Sequence, residues 1–131
     1  MLSKESILAA YSKVKTGADF PRLVKDLKAI GVLNYDHIVS DGSNIFYGKD
    51  GSSIPVAIGV HQGPIIVSTN VSLEKLKRSL SIHQQGKTDY PTFCTQAGEA
   101  GVDKWVSDLE KMTVTYLDKS GDQILLESIP A

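Results

Sequence analysis

The most constraining feature of this chain is a pattern of cap, turn and strand residues that recurs after about 70 positions. The matched segments, in chain order, are residues 3–5 with 72–74, 19–21 with 89–91, 31–32 with 101–102, 39–41 with 106–108, and 49–54 with 119–124. The order is kept from the first helix cap to the last strand. We therefore predict an internal duplication within one domain of residues 1–131, with pseudo-repeats at about residues 2–60 and 71–129.

Each repeat is predicted to contain two helices followed by a β-meander. Ser3 is a favourable helix N-cap, and the apolar residues after it recur at helical spacing. Asp19 opens a second helix in the same way, and Gly31 suits the left-handed turn that ends it. Neither a helix pair nor a three-stranded meander can bury its apolar face alone. The sequence therefore predicts an α+β fold, in which an antiparallel sheet has helices packed on one side.

Composition narrows the class of protein. The chain has 131 residues, 41% hydrophobic and 22% charged, with a net charge of -1. Near-neutral charge argues against nucleic-acid binding through phosphate contacts, and the sequence shows no apolar run of the roughly 20 residues that cross a membrane. The single cysteine, Cys94, cannot form an internal disulfide, which fits a reducing compartment. We expect a cytoplasmic domain that needs no cofactor.

Charge is unevenly distributed along the chain. Residues 1–34 and 72–87 each carry a net charge of +3, whereas residues 89–131 carry -5. Basic helices and acidic strands could guide a protein partner or a homodimer, although a solvated surface explains the same pattern.

Cys94 and His83 are candidates for a nucleophile and its base, because a thiol needs a nearby group that takes its proton. The alternative is that Cys94 lies on the buried face of its helix, where free cysteine behaves as a small apolar residue. Asp41 and Asp108 each follow Val-Ser, and a pseudo-two-fold axis could bring the two carboxylates together as an acid and a base. The alternative for both aspartates is a hydrogen bond to local turn amides.

The histidines do not have the spacing of a metal site. His37, His61 and His83 lack the pair four residues apart that a zinc hydrolase places on a helix, so we expect no bound metal. His61 lies in a Gly/Pro loop between β-rich runs at residues 54–60 and 65–67, which predict two strands. The Gly-Lys-Thr sequence that contains Lys87 lacks the earlier glycine of a phosphate-binding loop.

Candidate binding residues come from the aromatic strands. A stacking platform on an open sheet face could be formed by Trp105 with Tyr35, Phe46, Tyr47 and Tyr116. His37 lies beside Tyr35 in its strand and is a further candidate, and Lys87 adds a charge near a helix end. The alternative is that these rings pack beneath the helices.

Several segments carry a resemblance to a known family, namely residues 12–21, 39–42, 83–94, 101–106 and 124–130. On these segments the chain resembles the YbcV-like family of bacterial domains of unknown function, whose members are often labelled phage envelope protein. The resemblance implies a prophage-associated accessory protein, and it assigns no catalytic residue. A literal envelope role would call for a membrane span or anchor, which the sequence does not show.

Taken together, these features favour a non-enzymatic domain that binds a protein partner or a small ligand. The alternative is a small hydrolase whose site lies between the two repeats. The two hypotheses differ in whether the candidate side chains converge in one concave pocket.

Overall fold

Helices and strands follow one another in the same order twice along the chain. The computed structural model describes residues 2–56 and 64–129. The elements of these residues are α1 (Lys4–Tyr11), a short 3₁₀ turn (Gly17–Asp19), α2 (Phe20–Ala29), β1 (Val32–Ile38), β2 (Asn44–Gly48), β3 (Ser53–Pro55), α3 (Leu73–Gln84), α4 (Tyr90–Glu99), β4 (Lys104–Asp108), β5 (Thr113–Leu117) and β6 (Gln123–Ser128).

The six strands form one antiparallel sheet in the order β3-β2-β1-β4-β5-β6. At its centre β1 pairs with β4, so that Asn34 lies opposite Asp108 and Ile38 lies opposite Lys104. The predicted α+β class with an antiparallel sheet is confirmed. The internal duplication stays a prediction.

Local sequence explains where most helices begin. The hydroxyl of Ser3 accepts a hydrogen bond from the amide of Ser6, and Ser72 and Asp89 cap α3 and α4 in the same way. Asp19 differs from the prediction, because its carboxylate accepts hydrogen bonds from backbone amides three and four residues earlier. It thereby completes a capping box for the 3₁₀ turn and does not cap α2.

One face of the sheet is covered by the helices, and we call it the inner face. Alternate residues of the central strands are buried there, as the two-residue period of a strand requires. They include Tyr35, His37, Phe46, Trp105 and Tyr116. Tyr11 of α1 packs edge-on against Phe46, and Phe93 of α4 packs against Trp105. On the opposite face Asp36, Val106 and Thr115 lie side by side and are only half-buried.

The predicted strand at residues 65–67 is wrong. This segment is irregular, because the Ile65 amide donates to the Ser40 carbonyl and the Ser68 amide donates to the Gly98 carbonyl. These partners are a turn and a helix end, so no ladder with a neighbouring strand forms. The run at residues 54–60 is described only to residue 56, where β3 covers Ser53–Pro55. His61 lies outside the described residues.

Candidate functional site

A cavity of about 440 Å³ lies between the inner face of the sheet and the helices. Small-molecule sites are concave and mostly apolar, with volumes of roughly 300–1,000 Å³. Aromatic side chains from three helices and three strands line this one: Tyr11, Phe20, Tyr35, Tyr90, Phe93, Trp105 and Tyr116. The cavity is therefore of the size and character of a ligand site.

The aromatic side chains form a continuous wall. The rings of His83 and Phe93 are stacked with centroids 4.5 Å apart and planes 14° from parallel. Phe93 packs against Trp105 at 5.6 Å, and Trp105 packs against Tyr116 at 5.9 Å. Contacts at these separations stabilise ring pairs and fix their orientation. The wall is thus held in place before any ligand enters.

The mouth of the cavity is marked by lining residues that are exposed to solvent. They are Leu8 and Ser12 at the end of α1, Lys15 beyond it, Gln84 at the end of α3, and Ser128 at the end of β6. A ligand would enter between these three elements.

Four tyrosines add phenol groups to the otherwise apolar wall. Burial raises the pKa of Tyr11, Tyr35, Tyr90 and Tyr116, because the low-dielectric surroundings disfavour the phenolate. All four therefore stay neutral phenols at physiological pH. A neutral phenol both donates and accepts a hydrogen bond.

The charged groups of the cavity lie at its edge. Glu127 of β6 is half-buried and accepts a hydrogen bond of 3.3 Å from Nε2 of Gln84. After burial, the Glu127 charge is the next largest cause of the raised Tyr116 pKa. Burial lowers the pKa of His83, and the hydrogen bond to the Thr88 carbonyl only partly opposes this. His83 is therefore neutral at physiological pH.

A second cluster of polar residues lies on the inner face, directly behind the cavity wall. His37 is 1% exposed and stacks on Trp105 with centroids 4.2 Å apart. Its Nδ1 atom is 2.8 Å from Oδ1 of Asn44 and 3.0 Å from the hydroxyl of Tyr90. We call His37, Asn44 and Cys94 the His37 cluster.

The Asn44 amide fixes the tautomer of His37. Its Nδ2 atom donates to the carbonyls of Gly42 and Val56, which turns Oδ1 toward the imidazole. Since an amide oxygen only accepts, Nδ1 of His37 carries the proton. The Nε2 atom is then an acceptor, and it faces Sγ of Cys94 at 3.8 Å.

The structure pairs Cys94 with His37, whereas the sequence analysis paired it with His83. Cys94 is 1% exposed, and burial raises the pKa of its thiol to about 12. His83 stacks on the neighbouring Phe93 instead and bonds to Thr88. A thiol nucleophile needs a lowered pKa and access to substrate, and Cys94 has neither property here.

Asp41 and Asp108 are not brought together. Asp41 follows β1, and its carboxylate accepts from the amide and hydroxyl of Ser43. Asp108 ends β4 and accepts from the amides of the next turn. Because β1 and β4 are antiparallel, their ends are separated by four residue pairs, or about 13 Å. Each aspartate therefore stabilises its own turn.

Of the other candidate residues, Tyr35, His83 and Trp105 line the cavity, and His37 lies behind it. Lys87 is exposed in the loop between α3 and α4, where its amide donates to the Ile82 carbonyl. Sequence reasoning missed Tyr11, Tyr90 and Glu127 as lining residues. The available signal was a tyrosine on the buried face of an element, which core packing produces equally well.

Over residues 9–128 the chain matches the family described as a protein of unknown function, DUF1398, and it belongs to this family. The matched range holds the whole aromatic wall, from Tyr11 to Tyr116. No similar protein is found among curated proteins. Every helix within residues 2–56 and 64–129 is too short or too polar to cross a membrane.

Proposed function

We propose that this member of the DUF1398 family is a non-enzymatic protein that binds a small, largely apolar molecule in the cavity between sheet and helices. The observation that carries the proposal is the cavity itself, a preformed space of about 440 Å³ with an aromatic wall and a solvent-exposed mouth. Burying a ligand's apolar surface there would contribute about 25 cal/mol per Å² before the costs of association.

Neutral phenols complete the recognition surface. Tyr11, Tyr35, Tyr90 and Tyr116 line the cavity, and burial keeps all four phenols neutral. A few placed polar groups in an apolar pocket orient a ligand and select among ligands of similar shape. The proposal therefore favours a molecule with an apolar body and a small number of polar atoms.

The hydrolase alternative has one observation in its favour. Cys94, His37 and Asn44 follow the order of a thiol, an imidazole base and an amide that orients the base. The thiol is buried and its pKa is raised to about 12, which favours a structural role for all three residues.

The cellular setting of the proposal comes from the sequence. The lone Cys94 fits a reducing cytoplasm, and the resemblance to proteins labelled phage envelope protein fits a prophage-associated accessory role. Small-molecule binding is compatible with a protein partner or a homodimer, since the surface around the mouth of the cavity could contact either.

The proposal is tested with a neutral apolar dye, N-phenyl-1-naphthylamine, and the intrinsic fluorescence of Trp105. Trp105 is the sole tryptophan and lines the cavity, so a bound dye must quench it. Val114 lines the cavity from β5, and Val114→Phe fills part of the space. We expect this variant to weaken dye binding at least about tenfold, because the larger side chain occupies space in the cavity that the dye needs.

The matched control is Val106→Phe, which adds the same volume on the opposite face of the sheet. It should bind the dye like the unmodified protein. Dye binding that leaves Trp105 unquenched, or that is equally affected by both variants, would place the binding elsewhere and overturn the proposal.

A further inference from the structure

We infer that the molecule bound in this cavity carries a positively charged nitrogen, as a quaternary or protonated amine on an apolar scaffold. The inference rests on the proposed function, since it names the class of ligand for the same cavity. It depends on the aromatic wall, on the position of Glu127 and on the charges of the remaining lining residues.

The wall supplies the attraction for a cation. Seven aromatic rings line the cavity, and Phe93, Trp105 and Tyr116 are packed against one another in sequence. The face of an aromatic ring is electron-rich, so a cation within about 6 Å of its centre is attracted, and most strongly by tryptophan. The attraction grows where the cation is withdrawn from water, as it would be beneath the helices.

Glu127 places a negative charge beside the wall. It lies directly opposite Val114 in the register of β5 and β6, so both side chains are on the inner face. Its charge acts on the Tyr116 phenol, one of the rings of the wall. The hydrogen bond from Gln84 holds the Glu127 carboxylate at the mouth.

The same cavity is unfavourable for an anion. Burial raises the pKa of the tyrosines and lowers the pKa of His83, so a charge of either sign needs an oppositely charged or electron-rich partner there. His83 is neutral at physiological pH, and Lys15 is exposed at the mouth. A carboxylate or phosphate inside would meet Glu127 without a buried lysine or arginine among the described lining residues.

The test uses three probes of one shape and different charge: phenyltrimethylammonium, its neutral isostere tert-butylbenzene, and the anion benzenesulfonate. Each competes with the neutral dye in the Trp105 fluorescence assay. We expect phenyltrimethylammonium to bind at least about tenfold more tightly than tert-butylbenzene, and benzenesulfonate to bind most weakly. Tighter binding of tert-butylbenzene or of benzenesulfonate would overturn the inference.

Glu127→Gln removes the charge and keeps the shape of the side chain. It should weaken phenyltrimethylammonium about three- to tenfold and leave tert-butylbenzene unchanged. The control is Glu99→Gln, an exposed carboxylate at the far end of α4 from Tyr90. Equal affinity of phenyltrimethylammonium for both variants would contradict the role of Glu127.

The outcomes separate this inference from the proposed function. If tert-butylbenzene binds best and Val114→Phe excludes it, the cavity binds ligands and only the cationic class is wrong. If the dye and all three probes fail to bind, both are wrong.

Discussion

The His37 cluster and the cavity lie back to back on one sheet face, separated by Tyr90 and Trp105, and they are opposite in character. The cluster is polar and closed, with His37 and Asn44 each 1% exposed. The cavity is aromatic and open at its mouth. The cluster holds the residue types that usually suggest catalysis, yet the cavity is the better candidate for a site.

The difference lies in whether the side chains of a region contact only other protein groups or also border unfilled space. In the cluster the amide of Asn44 bonds to two backbone carbonyls and to His37, so its capacity is used within the protein. Such satisfied buried groups stabilise one arrangement of a core. In the cavity the aromatic rings border unfilled space, which a ligand could occupy. The Tyr90 hydroxyl belongs to both regions, because Tyr90 lines the cavity and its hydroxyl lies 3.0 Å from Nδ1 of His37. Residue type alone does not distinguish these two cases.

The largest expected effect concerns the reactivity of Cys94. A thiol pKa moved from 9.0 to about 12 leaves about a thousandth of the thiolate at neutral pH, since each pKa unit is tenfold. We expect iodoacetamide at pH 8 to modify Cys94 at least about 1,000-fold more slowly in the folded protein than in 6 M urea. If the folded protein were modified at a rate close to that in urea, as measured by mass spectrometry, the cluster would be accessible and a nucleophilic role for Cys94 would be supported.

A second prediction compares His37, in the His37 cluster, with His83, in the cavity wall. His37→Ala removes a buried ring from Trp105 and leaves the Asn44 oxygen without its donor. It should lower the free energy of unfolding by about 3 kcal/mol, measured by urea denaturation. His83→Ala, at the half-buried cavity wall, should cost about 1 kcal/mol. Equal losses would contradict the distinction between a closed cluster and an open cavity.

The smallest effect is the pH dependence that His83 contributes. Burial lowers its pKa in the folded state, so the unfolded chain binds the proton more readily. The stabilisation is present above pH 6.5 and declines as pH falls from there toward the folded pKa. Between pH 7.5 and 5.5 we expect the loss of unfolding free energy to be smaller in His83→Gln, by less than about 1 kcal/mol because the half-exposed ring is screened.

That pH window separates His83 from the carboxylates. Asp41 has a lowered pKa because of its hydrogen bonds to Ser43, and Asp89 because of those to Thr92. Their contributions are lost only as pH falls below about 4. A His83→Gln profile that runs parallel to that of the unmodified protein between pH 7.5 and 5.5 would count against a titrating imidazole at the wall.

Local features of the structure could be predicted because their causes are local. Ser3, Ser72 and Asp89 cap helices through amides three residues away, and strand alternation follows from the two-residue period. The α+β class follows from the need to bury both kinds of face. Strand order could not be derived in this way, because two meanders can also pack as separate sheets.

The contacts of the candidate site residues could not be predicted, because the residues that meet in the structure are distant in sequence. Cys94 and His37 are 57 positions apart and meet only because α4 packs against the sheet. His83 is closer to Cys94 along the chain, so sequence proximity favoured His83, whereas the structure places His37 beside the thiol and stacks His83 on Phe93. For Asp41 and Asp108 the antiparallel pairing of β1 with β4, which sequence does not specify, decides that they lie apart.

The central pairing of β1 with β4 also bears on how the protein folds. Asn34 and Asp108 lie directly opposite each other in the sheet although 74 positions separate them. A contact of such long range requires loop closure before it contributes any stability, which slows folding. The cavity takes walls from α1 and α2 and from β4, β5 and β6, so it cannot exist before that closure. A ligand of this cavity would therefore slow unfolding more than it accelerates folding.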